Sequence, residues 1–505
     1  MQLNSAYREQ LPLTTLLLNR SEGRYSPHGF ERSLGRLWWK DGFKLLNDFD
    51  IANPQRHAVT SMSYDRCGGR FLLVGSSNAA VTIYDLSKWG SEDSKSRHNQ
   101  TSHDNNPGSQ IFRPVATSLR VPAGMNAQDR PGDPPPGHSS SLTHVQWYPV
   151  DTGAFLSASM DGSILFWDTN RMQPVLHVAP FEDGHPCSCA HLGGEGSASS
   201  ASSMLVATGS SWESAISLVD LRSGASSHRL RGHDHGISSL SWSPTSSVVL
   251  ASGCIDGSIR LWDIRKSGSR ACVAQLQLRQ DDEAQRFGGR SYSADYAHLN
   301  QLLSRKSSKN KSSPQPPLLG KRQRREMEKF RVKKVTRQVA PNNYNHVHNS
   351  THALQRPHNG TVSSLGFFPD GHYLASVGGN DGELLLWDLV QGKISQGKFV
   401  SPGGRSAAAA VGGAHQRHSK IPLRVGPRTC AIWVGNKSSL FGFDREGGSP
   451  EYMLEGHLHN ITAVETLDHS MQMVTAASDG MILVWGKQRQ SSSPLATITL
   501  DEDNW

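Results

Sequence analysis

Histidines and carboxylates are the first residues in this sequence that could do chemistry. The chain holds 23 histidines and 44 Asp or Glu residues. His233 with Asp256 has the residue types of a general base and the acid that orients it. Such a pair becomes catalytic only with a nucleophile to activate. The chain has no Gly-rich phosphate loop, no His-Glu-x-x-His and no Gly-x-Ser-x-Gly. Six cysteines, at 67, 187, 189, 254, 272 and 430, are too few for a disulfide scaffold. Cys187 and Cys189 are one residue apart, but no second Cys or His pair completes a zinc set. They read as reduced thiols of an intracellular protein. The expectation is a chain with no catalytic constellation, no metal and no other cofactor.

The histidines and acids instead recur in phase. Four phrases end in Trp: Ser157-Ala-Ser-Met-Asp161-Gly-Ser-Ile-Leu-Phe-Trp167-Asp168, Ser252-Gly-Cys-Ile-Asp256-Gly-Ser-Ile-Arg-Leu-Trp262-Asp263, Asp381-Gly-Glu-Leu-Leu-Leu-Trp387-Asp388 and Thr475-Ala-Ala-Ser-Asp479-Gly-Met-Ile-Leu-Val-Trp485-Gly486. Asp stands six residues before each Trp and Gly follows it, a tight-turn signal between two strands. The alternation after the turn is that of a half-buried strand. Upstream lies a His with an apolar residue four positions on: His138/Leu142, His233/Ile237, His358/Val362 and His457/Ile461.

These phrases resemble WD40 repeats, in which each repeat forms one blade of a β-propeller. The resemblance implies a buried hydrogen-bonded set of His, Ser or Thr, Asp and Trp in each blade. Carried over, the sets are His138/Ser157/Asp161/Trp167, His233/Ser252/Asp256/Trp262, His358/Ser376/Asp381/Trp387 and His457/Thr475/Asp479/Trp485. An indole N–H, a hydroxyl, an imidazole and a carboxylate can satisfy one another when buried. The spacings between Trp167 and Trp262, and between Trp387 and Trp485, each leave room for one more blade. Leu205–Asp220 fills the first gap and Thr429–Asp444 the second, and Phe71–Asp85 precedes them all. Tyr84, Val219 and Phe443 take the Trp place there. The expected fold is all-β, a seven-bladed WD40 propeller over residues 55–490.

Composition narrows the remainder. The net charge is +8, but residues 301–340 alone carry 13 Lys or Arg and 2 Glu. Subtracting that local +11 leaves −3 for the rest, so one insert makes the protein basic. Inserts 88–136 and 278–350 and the tail 491–505 hold few apolar residues and read as disordered. The chain shows no targeting peptide at its start, and no run approaches the roughly 18 apolar residues of a membrane span.

Two successive phrases end alike: Val219-Asp220-Leu221-Arg222 and Trp262-Asp263-Ile264-Arg265. This resembles the double Asp-x-Arg box of the substrate receptors of cullin-4 ubiquitin ligases. Further segments are similar to the Cockayne syndrome group A family: Thr143-His-Val-Gln-Trp-Tyr-Pro-Val-Asp-Thr-Gly153, His228-Arg-Leu-Arg-Gly-His233, Leu240-Ser-Trp-Ser-Pro244 and Met453-Leu-Glu-Gly-His457. The resemblance implies a non-catalytic receptor subunit in transcription-coupled nucleotide excision repair. Its adaptor would be damaged-DNA-binding protein 1 within a cullin-4 RING ligase, contacted through Asp220, Arg222, Trp262, Asp263 and Arg265. Stalled RNA polymerase II and repair factors would be its substrates or co-factors.

The extension 1–54 is expected to be helical and to bind the same adaptor. Phe30, Leu34, Leu37, Trp38, Trp39, Phe43, Leu45 and Leu46 fall near helical spacing, and Trp38 and Trp39 would anchor it. The alternative is a strap that closes the last blade. Lys321, Arg322, Arg324 and Arg325 read as a nuclear-import signal, which puts the protein in the nucleus. A second function stays open, a scaffold that meets chromatin or RNA through the basic insert; direct nucleic-acid contact is not the primary expectation.

Overall fold

Short strands that alternate apolar and polar residues, joined by two-residue turns, pair antiparallel with their sequence neighbours. In a computed structural model the chain forms seven such four-stranded sheets. The structure describes residues 43–46, 49–53, 56–87, 110–118, 120, 137–181, 184–193, 204–266, 268–277, 356–380, 382–394, 420–426, 431–445, 450–467 and 472–487. Blade two is typical: Leu142–Trp147, Ala154–Ser159, Ile164–Asp168 and Gln173–Val178, from inner strand to outer. Blade three follows with Cys189–Leu192 to Ala225–Leu230, and blade four with Ile237–Trp242 to Cys272–Leu276. Blades five and six start at Val362–Phe367 and Leu423–Val425.

The first strands of all seven blades neighbour one another in a closed ring. Apolar clusters lie between adjacent sheets. One joins Val249, Leu261 and Leu276 of blade four to Val362, Leu374 and Trp387 of blade five. Another joins Leu73, Val81 and Ile83 of blade one to Trp147, Phe155 and Trp167 of blade two. Each blade thus buries its faces only against its neighbours, which is why a ring and not a single sheet is stable. A bulge recurs at the Trp place between third and fourth strands, at Phe166/Trp167, Leu218/Val219, Leu261/Trp262 and Ile83/Tyr84. Bulges add local twist, as a propeller blade requires.

Three expectations are corrected. The described part of the N-terminal extension is strand, not helix. Phe43–Leu45 is the outer strand of blade seven, pairing antiparallel with Ile482–Lys487 through Phe43↔Lys487 and Leu45↔Trp485. The strap reading therefore holds for these residues, and the propeller begins before residue 55. The physical reason is the exposed edge of Ile482–Lys487, whose unpaired N–H and C=O groups need a partner. Helical spacing is a weak preference beside that demand. Phe49–Ile51 then pairs in parallel with Gln110–Phe112, and Leu46 and Ile51 are buried in a cluster shared by blades one and seven. Second, the 88–136 insert is not structureless throughout, because Pro114–Thr117 is the outer strand of blade one. Third, the ring draws its closing strand from the opposite end of the chain, so the boundary at 55 divides a blade. Trp38, Trp39, the import cluster at 321–325, the insert 278–350 and the tail 491–505 lie outside the described residues. Among the described residues no helix is long and apolar enough to cross a membrane.

Candidate functional site

In a four-stranded meander the turn after the second strand and the link to the next blade share one face. The turns after the first and third strands share the other. The His-containing sets sit at the first face. In blade two His138 Nε2 is 2.7 Å from Ser157 Oγ, which also accepts from Trp167 Nε1 at 2.7 Å. His138 Nδ1 is 3.2 Å from Asp161 Oδ2, and Ser139 N donates to the same oxygen at 2.9 Å. Burial would raise the Asp161 pKa, but the bonds from His138, Ser163 and Ser139 outweigh it and hold the carboxyl well below its usual range.

Blade four is wired through one more residue. His233 Nε2 lies 2.6 Å from Ser252 Oγ, and Trp262 Nε1 donates to that oxygen at 2.7 Å. His233 Nδ1 meets Ser258 Oγ at 3.2 Å, and Ser258 Oγ donates to Asp256 Oδ1 at 2.6 Å. Burial, helped by the charge of Arg260, pushes His233 down to about 3, so the ring is neutral. Both ring nitrogens meet serine hydroxyls, so His233 is engaged within the hydrogen-bonded set of its own blade. His233, Cys254 and Asp256 do lie close enough to share a cation. Both His233 nitrogens are already engaged, however, and burial drives the Cys254 thiol up to about 12.

The other two sets differ. In blade five His358, Ser376 and Trp387 make the same bonds, at 2.8 and 2.9 Å, while Asp381 lies outside the described residues. In blade seven His457 Nε2 and Trp485 Nε1 both reach Thr475 Oγ1 at 2.7 Å. Asp479 does not join them; it meets His459 Nδ1 at 3.1 Å. The sequence signal for this was the residue two places after Asp. Ser163 and Ser258 bridge acid to imidazole, and Met481 stands where blade seven would need that hydroxyl.

The two Asp-x-Arg boxes lie on the opposite face, in the turns after the third strands Ile216–Asp220 and Ile259–Asp263. In both, Asp Oδ1 accepts the backbone N–H of the Arg two residues on, at 2.9 Å for Arg222 and 3.1 Å for Arg265. Asp168 and Asp388 cap the equivalent turns of blades two and five in the same way, so the carboxylate is a turn device. The arginines differ. Arg222 is exposed. Arg265 turns its guanidinium onto Asp263 with Nε and Nη2 at 3.0 and 2.9 Å. Asp263 is buried, whereas the Arg265 side chain is 43% exposed. Trp262 is fully buried and belongs to the core behind this corner, where a partner cannot touch it. An analogous fork in blade one, Arg70 on Asp85 at 3.0 and 2.6 Å, escaped sequence reasoning because Arg70 precedes its Asp by fifteen residues.

Comparison with known proteins agrees with this geometry. The family model described as WD domain, G-beta repeat, matches residues 134–168, 224–263, 349–388 and 448–486. The chain carries WD40 repeats. Propellers of this kind generally act as scaffolds or receptors, and no catalytic family is indicated. The WD repeat-containing protein ATCSA-1 of Arabidopsis thaliana is 25% identical over 470 residues, which is 92% of this chain and 93% of that one. The ribosome biogenesis protein YTM1 of Phaeosphaeria nodorum is 34% identical over 28% of each chain. The ribosome biogenesis protein WDR12 homolog of Trichoplax adhaerens is 25% identical over 46% of this chain and 48% of that one.

Proposed function

We propose that this WD40-repeat protein is the non-catalytic substrate-recognition subunit of a nuclear cullin-4 RING ubiquitin ligase, acting in transcription-coupled nucleotide excision repair. One observation carries the reading: Asp220-x-Arg222 and Asp263-x-Arg265 occupy the same turn of successive blades, and their two arginines are exposed on the same side. Two guanidiniums on one rim give a planar, multidentate grip on carbonyls or carboxylates of a second protein. Damaged-DNA-binding protein 1 is the adaptor this grip would hold. The near full-length similarity to ATCSA-1 supports the same reading. The receptor transfers nothing itself; it raises the effective concentration of substrate lysines near the loaded enzyme. The opposite rim is left for stalled RNA polymerase II or repair factors. Lys321, Arg322, Arg324 and Arg325 would carry the protein into the nucleus, and Trp38 and Trp39 would add to the adaptor contact.

The partial similarity to ribosome biogenesis proteins favours a second reading, a propeller scaffold that meets RNA or chromatin through the basic insert. Affinity purification separates the two. With Arg222 and Arg265 both replaced by Ala, loss of the adaptor from a folded protein supports the receptor. Retention of the same partners, or partners released by nuclease, supports the scaffold.

A further inference from the structure

The closed ring of inner strands surrounds an axial channel of about 150 Å³. That is room for several waters or for a compact ion. The lining is mostly polar, and its charge is uneven. Glu465 is the carboxylate of the lining among the described residues, and it is engaged: Arg424 Nη2 donates to it at 2.7 Å and Arg66 lies 4.0 Å away. Lys420 faces the same space, and no described carboxylate pairs with it. It stands at the head of the sixth inner strand, exposed to solvent yet lining the channel, and the protein around the channel lowers its pKa from the ordinary lysine value. Across the channel lie the rings of His144 and His191, 6.1 Å apart between centroids. Burial and the charge of Lys420 push His144 down to about 3. The imidazole is therefore neutral, and beside the Arg424–Glu465 pair Lys420 is the lining cation with no described carboxylate on it.

Hydrogen-bond donors are available there too. Ser61 Oγ accepts from Val145 N and Ser63 Oγ from Trp147 N, each at 3.2 Å. Each oxygen is thereby fixed, and its own O–H is left to donate to a ligand. A lysine that lines the channel, with no described carboxylate paired to it and with fixed hydroxyls on the same lining, makes the channel an anion site by charge. An oxyanion with several acceptor oxygens suits donors arriving from different blades better than a halide does.

We propose that the axial channel binds a small phosphate-type oxyanion, neutralised by Lys420 and hydrogen-bonded by Ser61 and Ser63. An anion there neither requires nor excludes a protein on the outer rim. The test uses the purified full-length chain at low ionic strength, where such attraction is least screened. Inorganic phosphate and, separately, glycerol 3-phosphate are titrated by calorimetry and by phosphorus NMR. Saturable one-to-one binding is expected, weakened at least about tenfold by Lys420→Met. It should be unchanged in Lys437→Met, which alters a lysine on an outward turn between strands of blade six. Should Lys420→Met fail the melting control for folding, Lys420→Gln serves the same comparison. Binding of phosphate alone points to the free ion, and preference for the ester points to a small organic phosphate; either supports the site. Absence of saturation with both anions, or a Lys420 variant that binds like the parent, overturns it.

Discussion

Arg222 and Arg265 look equivalent in sequence, and replacing each by Ala should separate them. Asp263 has a buried carboxylate that takes two bonds from the Arg265 guanidinium and one from its backbone N–H. Arg265→Ala removes the first two and leaves the charge largely uncompensated. Breaking a fully buried pair costs about 3–5 kcal/mol. Because Arg265 is 43% exposed, water repairs part of the loss, and about 1–2 kcal/mol is the reasoned figure. For a domain of this size that lowers the melting temperature by about 2–5 °C. Arg222 is exposed, so Arg222→Ala should stay within about 0.5 kcal/mol of the parent. Differential scanning calorimetry of both variants reads the contrast directly. Asp263→Asn should recover part of the loss in the Arg265→Ala background, since it deletes the stranded charge. Equal melting temperatures for the two arginine variants would refute the role given to the Asp263 fork.

His233 and His457 are held neutral by burial, at about 3 and about 4. The unfolded chain binds protons on them below about 6.5, so stability present above that pH is lost as pH falls towards 4. Melting curves between pH 7 and 5 should slide downward, and His233→Gln should flatten the slope; a flat parent profile would contradict this. Ser258→Ala cuts the link from His233 to Asp256 and should cost about 1–3 kcal/mol by chemical denaturation. Met481→Ser supplies the hydroxyl that blade seven lacks and should raise stability by about 1 kcal/mol, with no gain if Asp479 stays on His459. Leu46→Ala, at the seam between blades seven and one, should cost about 2–5 kcal/mol, and a change under 1 kcal/mol would mean the strap is not part of the cooperative fold.

Much of the architecture was legible because it is local. The Asp-Gly turn and the Trp six residues after Asp set strand, turn and strand within about a dozen residues in four blades, and the spacing between them leaves room for the rest of the ring. The blades with Tyr84, Val219 and Phe443 at the Trp place were found from strand pattern alone, since each still fills that place with a buried side chain. What stayed hidden depends on distant pairing. Phe43–Leu45 completes a sheet whose other strands lie more than 400 residues away, and its apolar spacing fits a helix as well as a strand. Pro114–Thr117 is four residues in a polar stretch, too short for any period to register. The channel residues Lys420, His144 and Glu465 have no motif, because each comes from a different blade and they meet only when the ring closes. The His–Asp contacts were legible in type but not in detail: the residue two places after Asp decides whether the acid reaches the buried imidazole.

The affinity of the purified chain for purified damaged-DNA-binding protein 1, measured by calorimetry with and without Arg222→Ala, tests the role of this rim most directly. Because the Arg222 side chain is exposed and no described residue is bonded to it, its loss should leave melting unchanged and weaken binding at least about thirtyfold, the effect of an interface anchor worth about 2 kcal/mol. Undiminished binding by that variant, or no binding by the parent, would contradict the assignment of this rim to the adaptor.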